Sequence, residues 1–170
     1  MIYALGLDLS LACTGIATAT GDLASIRPKA GASDPARRLN EIVDRLDPHL
    51  RATNLEVAVI EGYNPRGRQG FTMARIAELG GVVRMRLWQL DVPYVEVPPA
   101  VLKKFATGSG NADKAAMVAA AVAAGASPAN PDQADAFWLR QMALAAAGAP
   151  HDDDQEVLVA RLDWPKGVRS

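Results

Sequence analysis

The first thirty residues contain three short apolar stretches that are separated by turn signals. Residues 3–9 are apolar and extended in character, and residues 14–20 (TGIATAT) are rich in β-branched side chains. Gly21-Asp22 is a two-residue turn signal that leads into a third stretch at residues 23–27. Apolar runs joined by a tight Gly-containing turn are typical of β-hairpins. The start of the chain is therefore predicted to form three antiparallel strands.

The rest of the chain alternates helical periodicity with two further strand patterns. Ser33-Asp34-Pro35 is a helix-start signal, and the apolar stripe after it ends near Pro48. Residues 55–60 (LEVAVI) are almost continuously apolar, which is typical of a strand buried on both faces, and residues 94–97 form a short strand pattern. Further helices are predicted at 72–90, 99–105, 113–124 and 131–147.

These elements predict one α/β domain. Three strands followed by alternating helix and strand give a mixed five-stranded sheet, with three antiparallel strands and then parallel ones, flanked by helices. The domain is predicted to span residues 1–150, and residues 151–170 form a C-terminal tail that is not a separate domain. Functional groups in such sheets collect at the carboxyl ends of the strands. The residues at those ends are the first candidates for a site.

Acidic residues stand where the predicted strands end and where the last long helix begins. Asp8 ends the first strand, and Glu61 ends the buried fourth strand. Asn130-Pro131 signals a helix start, because Asn caps free N–H groups and Pro fits the first turn. Asp132 and Asp135 then lie on one face of that helix. One strand-end acid alone is best interpreted as a surface residue, but two such acids plus a two-acid helix face predict a shared site.

Four carboxylates gathered in one place repel one another unless a cation neutralises them. Oxygen ligands in a chain with only two histidines favour Mg²⁺ or Mn²⁺ over Zn²⁺. Two such ions about 4 Å apart activate a water and stabilise the leaving oxygen in phosphodiester hydrolysis. The acids therefore predict a two-metal hydrolytic site.

The order of four segments resembles the RuvC-type Holliday junction resolvases, which have the RNase H-like (retroviral integrase) fold. The segments are GLDLSLACTGIA, AVIEGY, KKFATGSGNADK and NPDQADAF, and the resemblance runs over residues 2–146. Its most specific part is the Asp-x-x-Asp that follows Asn-Pro on the final helix. The resemblance implies that Asp8, Glu61, Asp132 and Asp135 are the metal-binding catalytic tetrad.

The resemblance also implies an endonuclease that cuts Holliday junctions or other branched DNA. One of two Mg²⁺ ions, for which Mn²⁺ can substitute, activates water, and the other stabilises the departing 3′ oxygen, which leaves a 5′-phosphate. Lys114 stabilises charge on the phosphate. Since a junction must be cut symmetrically on two strands, the family acts as a homodimer, and the helix at 72–90 lies in the region used for that contact.

Basic residues frame a Gly-rich loop ahead of the acidic helix. Lys103 and Lys104 precede the loop, and Lys114 follows it. The family has a basic residue on each side of this loop; Lys103 is the better positional match, and Lys104 is a close rival. A Lys ammonium is a compact charge suited to a phosphate. All three lysines are predicted to contact DNA, and the alternative is that they are ordinary surface residues at helix ends.

The segment after Glu61, YNPRGRQGF, mixes aromatic, arginine and glycine residues and differs from the family in composition. Arg66 and Arg68 are predicted to contact phosphates. Tyr63 or Phe71 is predicted to stack on a base or wedge into a junction. The alternative is an exposed loop with a packed Phe.

Composition narrows the class of protein. The 170 residues are 49% apolar, carry a net charge of −1 and include a single cysteine, so no internal disulfide is possible. The start lacks the basic segment of a signal peptide, and the longest apolar run is short of the ~20 residues that span a membrane. We therefore expect a soluble cytoplasmic domain without membrane contact. Because DNA binding depends on phosphate neutralisation, its basic residues should gather beside Asp8.

Three other functions fit parts of the pattern. The first is another nuclease of the same fold, specific for RNA–DNA hybrids or forks. The second is an actin-like or sugar-kinase phosphotransferase, which the Asp and Thr-Gly of the first motif allow, although the chain is too short for the second domain of those proteins. The third is a non-catalytic module, against which the cost of retaining four buried carboxylates argues. The cellular role, in recombination, repair or trimming of branched replication products, including in a phage, stays open.

Overall fold

The computed structural model describes residues 2–31, 33–62 and 70–169, with residues 70–73 described as helical backbone only. Its centre is a five-stranded sheet made of β1 (Ala4–Asp8), β2 (Thr14–Ala17), β3 (Leu23–Ile26), β4 (Val57–Glu61) and β5 (Tyr94–Val97). The strand order is β3-β2-β1-β4-β5. The β1–β2 and β2–β3 pairs are antiparallel, and the β1–β4 and β4–β5 pairs are parallel. The predicted mixed sheet is confirmed.

Helices cover both faces of this sheet. The described helices are α1 (Pro35–Leu50), α2 (Gly70–Gln89), α3 (Pro99–Thr107), α4 (Lys114–Ala123), α5 (Pro131–Ala146) and α6 (Asp153–Val159). One apolar core lies between the sheet and α1 and α2, and a second lies between the sheet and α3 to α6. No helix in the described part of the chain is long and apolar enough to span a membrane.

The first helix is longer than predicted. It was expected to end near Pro48, but α1 continues through Pro48 to Leu50. A proline inside a helix removes one backbone hydrogen bond. The last turn nevertheless holds, because Leu46 and Leu50 are buried against the sheet while Pro48 faces solvent. Burial of the two leucines outweighs the local cost of the proline.

The C-terminal segment packs on the second core. Asp152 caps α6 in a reciprocal capping box with Gln155, and the Gln155 side chain also donates a hydrogen bond to the Phe105 carbonyl of α3 at 3.0 Å. Leu158 and Val159 are buried in the same core. The division into a domain at 1–150 and a tail at 151–170 stays a prediction.

Candidate active site

The alternation of side chains along β1 and β4 directs the two strand-end acids to the same face of the sheet. Leu5 and Leu7 belong to the core under α1 and α2, so Asp8 points to the opposite face, toward α5. On β4, Ile60 belongs to that same first core, so Glu61 also points toward α5. The strands are parallel neighbours with Leu7 paired to Ile60. The two acids therefore stand side by side at the carboxyl edge of the sheet.

Helix α5 lies unusually close to β1 and β2 because two glycines leave room for it. A Cβ atom at Gly15 would overlap the carbonyl oxygen of Asp132, and one at Gly6 would overlap that of Ala136. Glycine inside a strand often marks such a close backbone approach. The approach brings the first turn of α5 against the strand ends. The role of these glycines was not predicted from the sequence, although their positions inside predicted strands were an available signal.

A hydrogen-bond network fixes the start of α5 to β3. Asn130 caps the helix, since its Oδ1 accepts from the Gln133 backbone N–H at 3.0 Å. The side-chain amides of Asn130 and Gln133 both donate to Ser25 Oγ, each at 3.0 Å. Gln133 Oε1 in turn accepts from the Ala129 N–H at 2.7 Å. The predicted helix start at Asn130-Pro131 is confirmed, whereas the contribution of Ser25 was not predicted.

Glu61, Asp132 and Asp135 all affect the ionisation of Asp8, so the fold brings the four predicted acids together. Asp8 is only 8% exposed. Burial, and after it the carboxylates of Glu61, Asp135 and Asp132, raise the pKa of Asp8 well above its usual range. Burial and the Glu61 carboxylate likewise raise the pKa of Asp135 to about 7. Ionised carboxylates are unfavourable in such surroundings. Near neutral pH the cluster therefore favours uptake of a proton or a cation.

Two of the three predicted lysines lie near these acids. Lys114 and Lys103 both counteract the rise in the pKa of Asp135, and Lys114 Nζ lies 4.0 Å from Asp132 Oδ1. Lys103 is half-buried on α3, whereas Lys104 beside it is exposed. This placement favours Lys103 over Lys104 as the lysine that faces the acids.

The donor set suits a hard divalent cation. All four side chains are carboxylates, and oxygen ligands are those preferred by Mg²⁺ and Mn²⁺. Within the described ranges, no three His, Cys, Asp or Glu side chains are already arranged to hold an ion together. Burial, and after it repulsion from neighbouring carboxylates, raises the pKa of Asp8 and of Asp135, and a bound cation would offset that repulsion. The residues therefore fit a divalent metal by their chemistry and proximity.

The remaining predicted DNA contacts cannot be placed beside this cluster. Tyr63, Arg66 and Arg68 lie outside the described residues. Phe71 lies in the first turn of α2, where the side chain is also outside the described part of the chain. Their contacts with DNA stay predictions.

Known proteins with similar sequences share one name. The crossover junction endodeoxyribonuclease RuvC of Sorangium cellulosum is 36% identical over 115 residues, which cover 66% of this chain and 64% of that protein. The RuvC of Synechococcus sp. strain WH7803 is 34% identical over 168 residues, which cover 94% of this chain and 96% of that protein. No protein-family model matches the chain.

Solved structures show the same fold. The Thermus thermophilus RuvC structure superposes with a TM-score of 0.65 at 17% identity, over 93% of this chain and 95% of that one. Thermus thermophilus RuvC in complex with a Holliday junction substrate gives a TM-score of 0.68 at 20% identity, over 82% of this chain and 91% of that one.

The sheet order and the solved structures define an RNase H-like fold with acids at the carboxyl ends of neighbouring parallel strands. The near full-length similarity to a curated relative is more specific than the fold. The chain belongs to the RuvC family of crossover junction endodeoxyribonucleases. The family and the fold predicted from the four sequence segments are confirmed.

Proposed function

We propose that this protein is a Holliday junction resolvase, a metal-dependent endonuclease that hydrolyses phosphodiester bonds in branched DNA. The observation that carries the proposal is the cluster of Asp8, Glu61, Asp132 and Asp135 where β1, β4 and α5 meet, in which burial and the neighbouring carboxylates raise the pKa of Asp8 and of Asp135. The relatives are named crossover junction endodeoxyribonucleases, and a protein of the same fold has been solved with a Holliday junction. Both findings support junction DNA as the substrate.

The four carboxylates are the residues that would hold two Mg²⁺ ions, with Mn²⁺ as a substitute. When bound, such ions supply Lewis acidity for water activation and for the leaving oxygen. Asp8 and Glu61 are fixed by neighbouring strands, and Asp132 and Asp135 by the anchored first turn of α5. Because the pKa of Asp135 is raised to about 7, metal binding near neutral pH should release protons.

The lysines are proposed to orient the scissile phosphate. Lys103 reaches the cluster from α3, and Lys114 reaches it from the first turn of α4. An ammonium group is a compact charge with three donors, which suits phosphate oxygens. Both lysines also reduce the negative potential that the acids would otherwise present to DNA. Lys104, Tyr63, Arg66, Arg68 and Phe71 are proposed as further DNA contacts around the site.

A homodimer is proposed to form through the exposed face of α2. Trp88 is 77% exposed and Met85 is 54% exposed, and a Cβ at Gly81 would meet no atom of the described residues within 4 Å. Their spacing of four and three residues places them on one helix face. Two copies related by a two-fold axis would cover this face and present two active sites to a junction.

The dimer is tested by Trp88→Glu, with Val157→Glu as a control that adds the same charge at an exposed apolar position of α6. Sedimentation should show a dimer for wild type and Val157→Glu, and a monomer for Trp88→Glu. Unchanged mass for Trp88→Glu, or a monomeric wild type, would contradict this interface.

The function is tested with a labelled synthetic four-way junction beside a linear duplex, a replication fork and an RNA–DNA hybrid. Each is incubated with Mg²⁺, with Mn²⁺ or with chelator. We expect paired symmetric nicks in the junction that require metal and are lost in Asp132→Asn. Preferential cutting of the fork or hybrid would support the metal-dependent site but would show that junction DNA is not the preferred substrate. No cleavage of any substrate would contradict the proposal.

A further inference from the structure

A group of basic residues lies on the β3 side of the candidate active site and has no assigned role. The strand β3 runs parallel to β1, since both pair antiparallel with β2. Ile26 pairs with Thr14, and Asp8 pairs with Gly15. Both strands therefore end at the same edge of the sheet. Arg27, the first residue after β3, emerges beside the acids.

The Cys13 thiol links Arg27 to the acidic cluster in space. Burial and the neighbouring Asp132 carboxylate raise the pKa of this thiol, whereas Arg27 and Ser25 lower it. Arg27 and Asp132 are therefore both close enough to the thiol to affect its ionisation. Arg27 itself is exposed, so its guanidinium is open to a ligand at the rim of the site.

The backbone after β3 is held in place by α1. Arg45 Nη1 donates to the Arg27 carbonyl at 2.8 Å. Glu41 accepts from the backbone N–H groups of Lys29 and Ala30, at 2.9 to 3.0 Å. These contacts position Arg27, Lys29 and Arg45 together on one rigid edge.

The three cations of this edge make no close ion pair with a carboxylate in the described ranges, although Arg45 and Lys29 lie near enough to Glu41 to lower its pKa. Five arginines elsewhere pair with acids: Arg51 and Arg86 with Asp47, Arg75 with Glu78, Arg84 with Glu96 and Arg169 with Glu156. Within the described parts of the chain, Arg27, Lys29 and Arg45 have no carboxylate oxygen within the 4.0 Å of an ion pair. Glu41 on α1 carries one negative charge among these cations, because the backbone N–H groups of Lys29 and Ala30, and after them the charges of Arg45 and Lys29, lower its pKa. Three cations against this one carboxylate leave the edge with a net positive charge.

We propose that Arg27 and Arg45, supported by Lys29, form a second phosphate-binding subsite that holds the DNA backbone on the β3 side of the scissile phosphate. The inference rests on the proposed nuclease function and adds a contact opposite Lys103 and Lys114. A guanidinium fork matches phosphate oxygens in geometry and charge. Two strand spacings separate β3 from β1, about 10 Å, so the subsite contacts a phosphate within about three nucleotides of the cut.

The test compares Arg27→Gln, Arg45→Gln and the double variant with Arg51→Gln. Arg51 follows the C-terminal end of α1, on the way to the start of β4 and therefore at the end of the sheet opposite the acids. Its substitution also removes one positive charge, but at a position distant from the site. Binding of a fluorescent four-way junction is measured in chelator over a range of salt concentrations, and cleavage is measured in Mg²⁺ under single-turnover conditions. Thermal unfolding of each variant reports on folding.

The double variant should bind the junction on the order of tenfold more weakly than wild type. The slope of the logarithm of the binding constant against the logarithm of the salt concentration should be shallower by about one to two, which corresponds to the loss of about one to two phosphate contacts. Arg51→Gln should match wild type in both measurements. Because the Arg27 side chain makes no backbone hydrogen bond among the described residues, Arg27→Gln alone keeps the test valid if Arg45→Gln unfolds.

The two proposals fail in different ways. If wild type cuts the junction but Arg27→Gln and the double variant bind and cut like Arg51→Gln, the subsite is overturned and the nuclease function stands. If wild type neither binds nor cuts the junction, the proposed function itself is overturned.

Discussion

Replacing Gly15 by alanine should damage the active site by moving α5. The new Cβ would lie about 1 Å inside the closest separation that Cβ atoms normally make, and its neighbour is the Asp132 carbonyl, which is backbone and cannot rotate away. Either β2 or the first turn of α5 must shift by a comparable distance. A displacement of about 1 Å at a catalytic group can lower the rate about 100-fold, and overpacking costs roughly 1–3 kcal/mol of stability.

The assay is single-turnover cleavage of a four-way junction together with thermal unfolding. Gly31→Ala is the matched control, because among the described residues its Cβ would meet only Ser33 Oγ at 3.7 Å, an ordinary contact. The control should keep both the rate and the unfolding midpoint. A Gly15→Ala variant with wild-type rate and stability would refute the argument that the close approach of α5 positions Asp132.

Three further predictions concern the same cluster. In chelator, the free energy of unfolding of wild type should fall relative to that of Asp135→Asn as the pH rises from about 4 to about 7, by at most on the order of 4 kcal/mol. The reason is that the folded protein holds the Asp135 proton more tightly than the unfolded chain does. Denaturant unfolding of both proteins across that pH range measures the difference. Ser25→Ala should cost about 1–3 kcal/mol, since two donors on α5 lose their acceptor, and denaturant unfolding tests this. Lys103→Ala should slow cleavage at least tenfold more than Lys104→Ala, because Lys103 faces Asp135; equal single-turnover rates would contradict this difference.

Several parts of the site were predictable because their signals are local. Asp8 and Glu61 end apolar strands, and the Asn-Pro start of α5 places Asp132 and Asp135 in its first turns. Parallel strands end at the same sheet edge, so the convergence of the strand acids followed from the predicted topology. The sheet and most helix positions were predictable for the same reason, since they follow from the period of the apolar residues.

Other features of the site depend on distances between secondary-structure elements, and the pattern of apolar residues along the sequence does not report those distances. Gly6 and Gly15 matter because α5 crosses β1 and β2 almost in backbone contact. Ser25 matters because β3 lies against the N-terminus of α5, 105 residues away in sequence from Asn130. Arg27 has a candidate role because β3 ends beside β1. Pro48 does not end α1, because burial of Leu46 and Leu50 outweighs the local helix-breaking effect of the proline.

If the four carboxylates form the metal-dependent nuclease site, none of them can be replaced by an amide without loss of cleavage. Junction cleavage in Mg²⁺ is measured for Asp8→Asn, Glu61→Gln, Asp132→Asn and Asp135→Asn. Asp113→Asn serves as the control, because it removes an acid next to Lys114 while Asn can still cap α4. We expect each of the four variants to fold and to lose at least about 100-fold in rate, while the control cuts like wild type. Four variants that fold and still cut the junction at the wild-type rate would contradict this expectation.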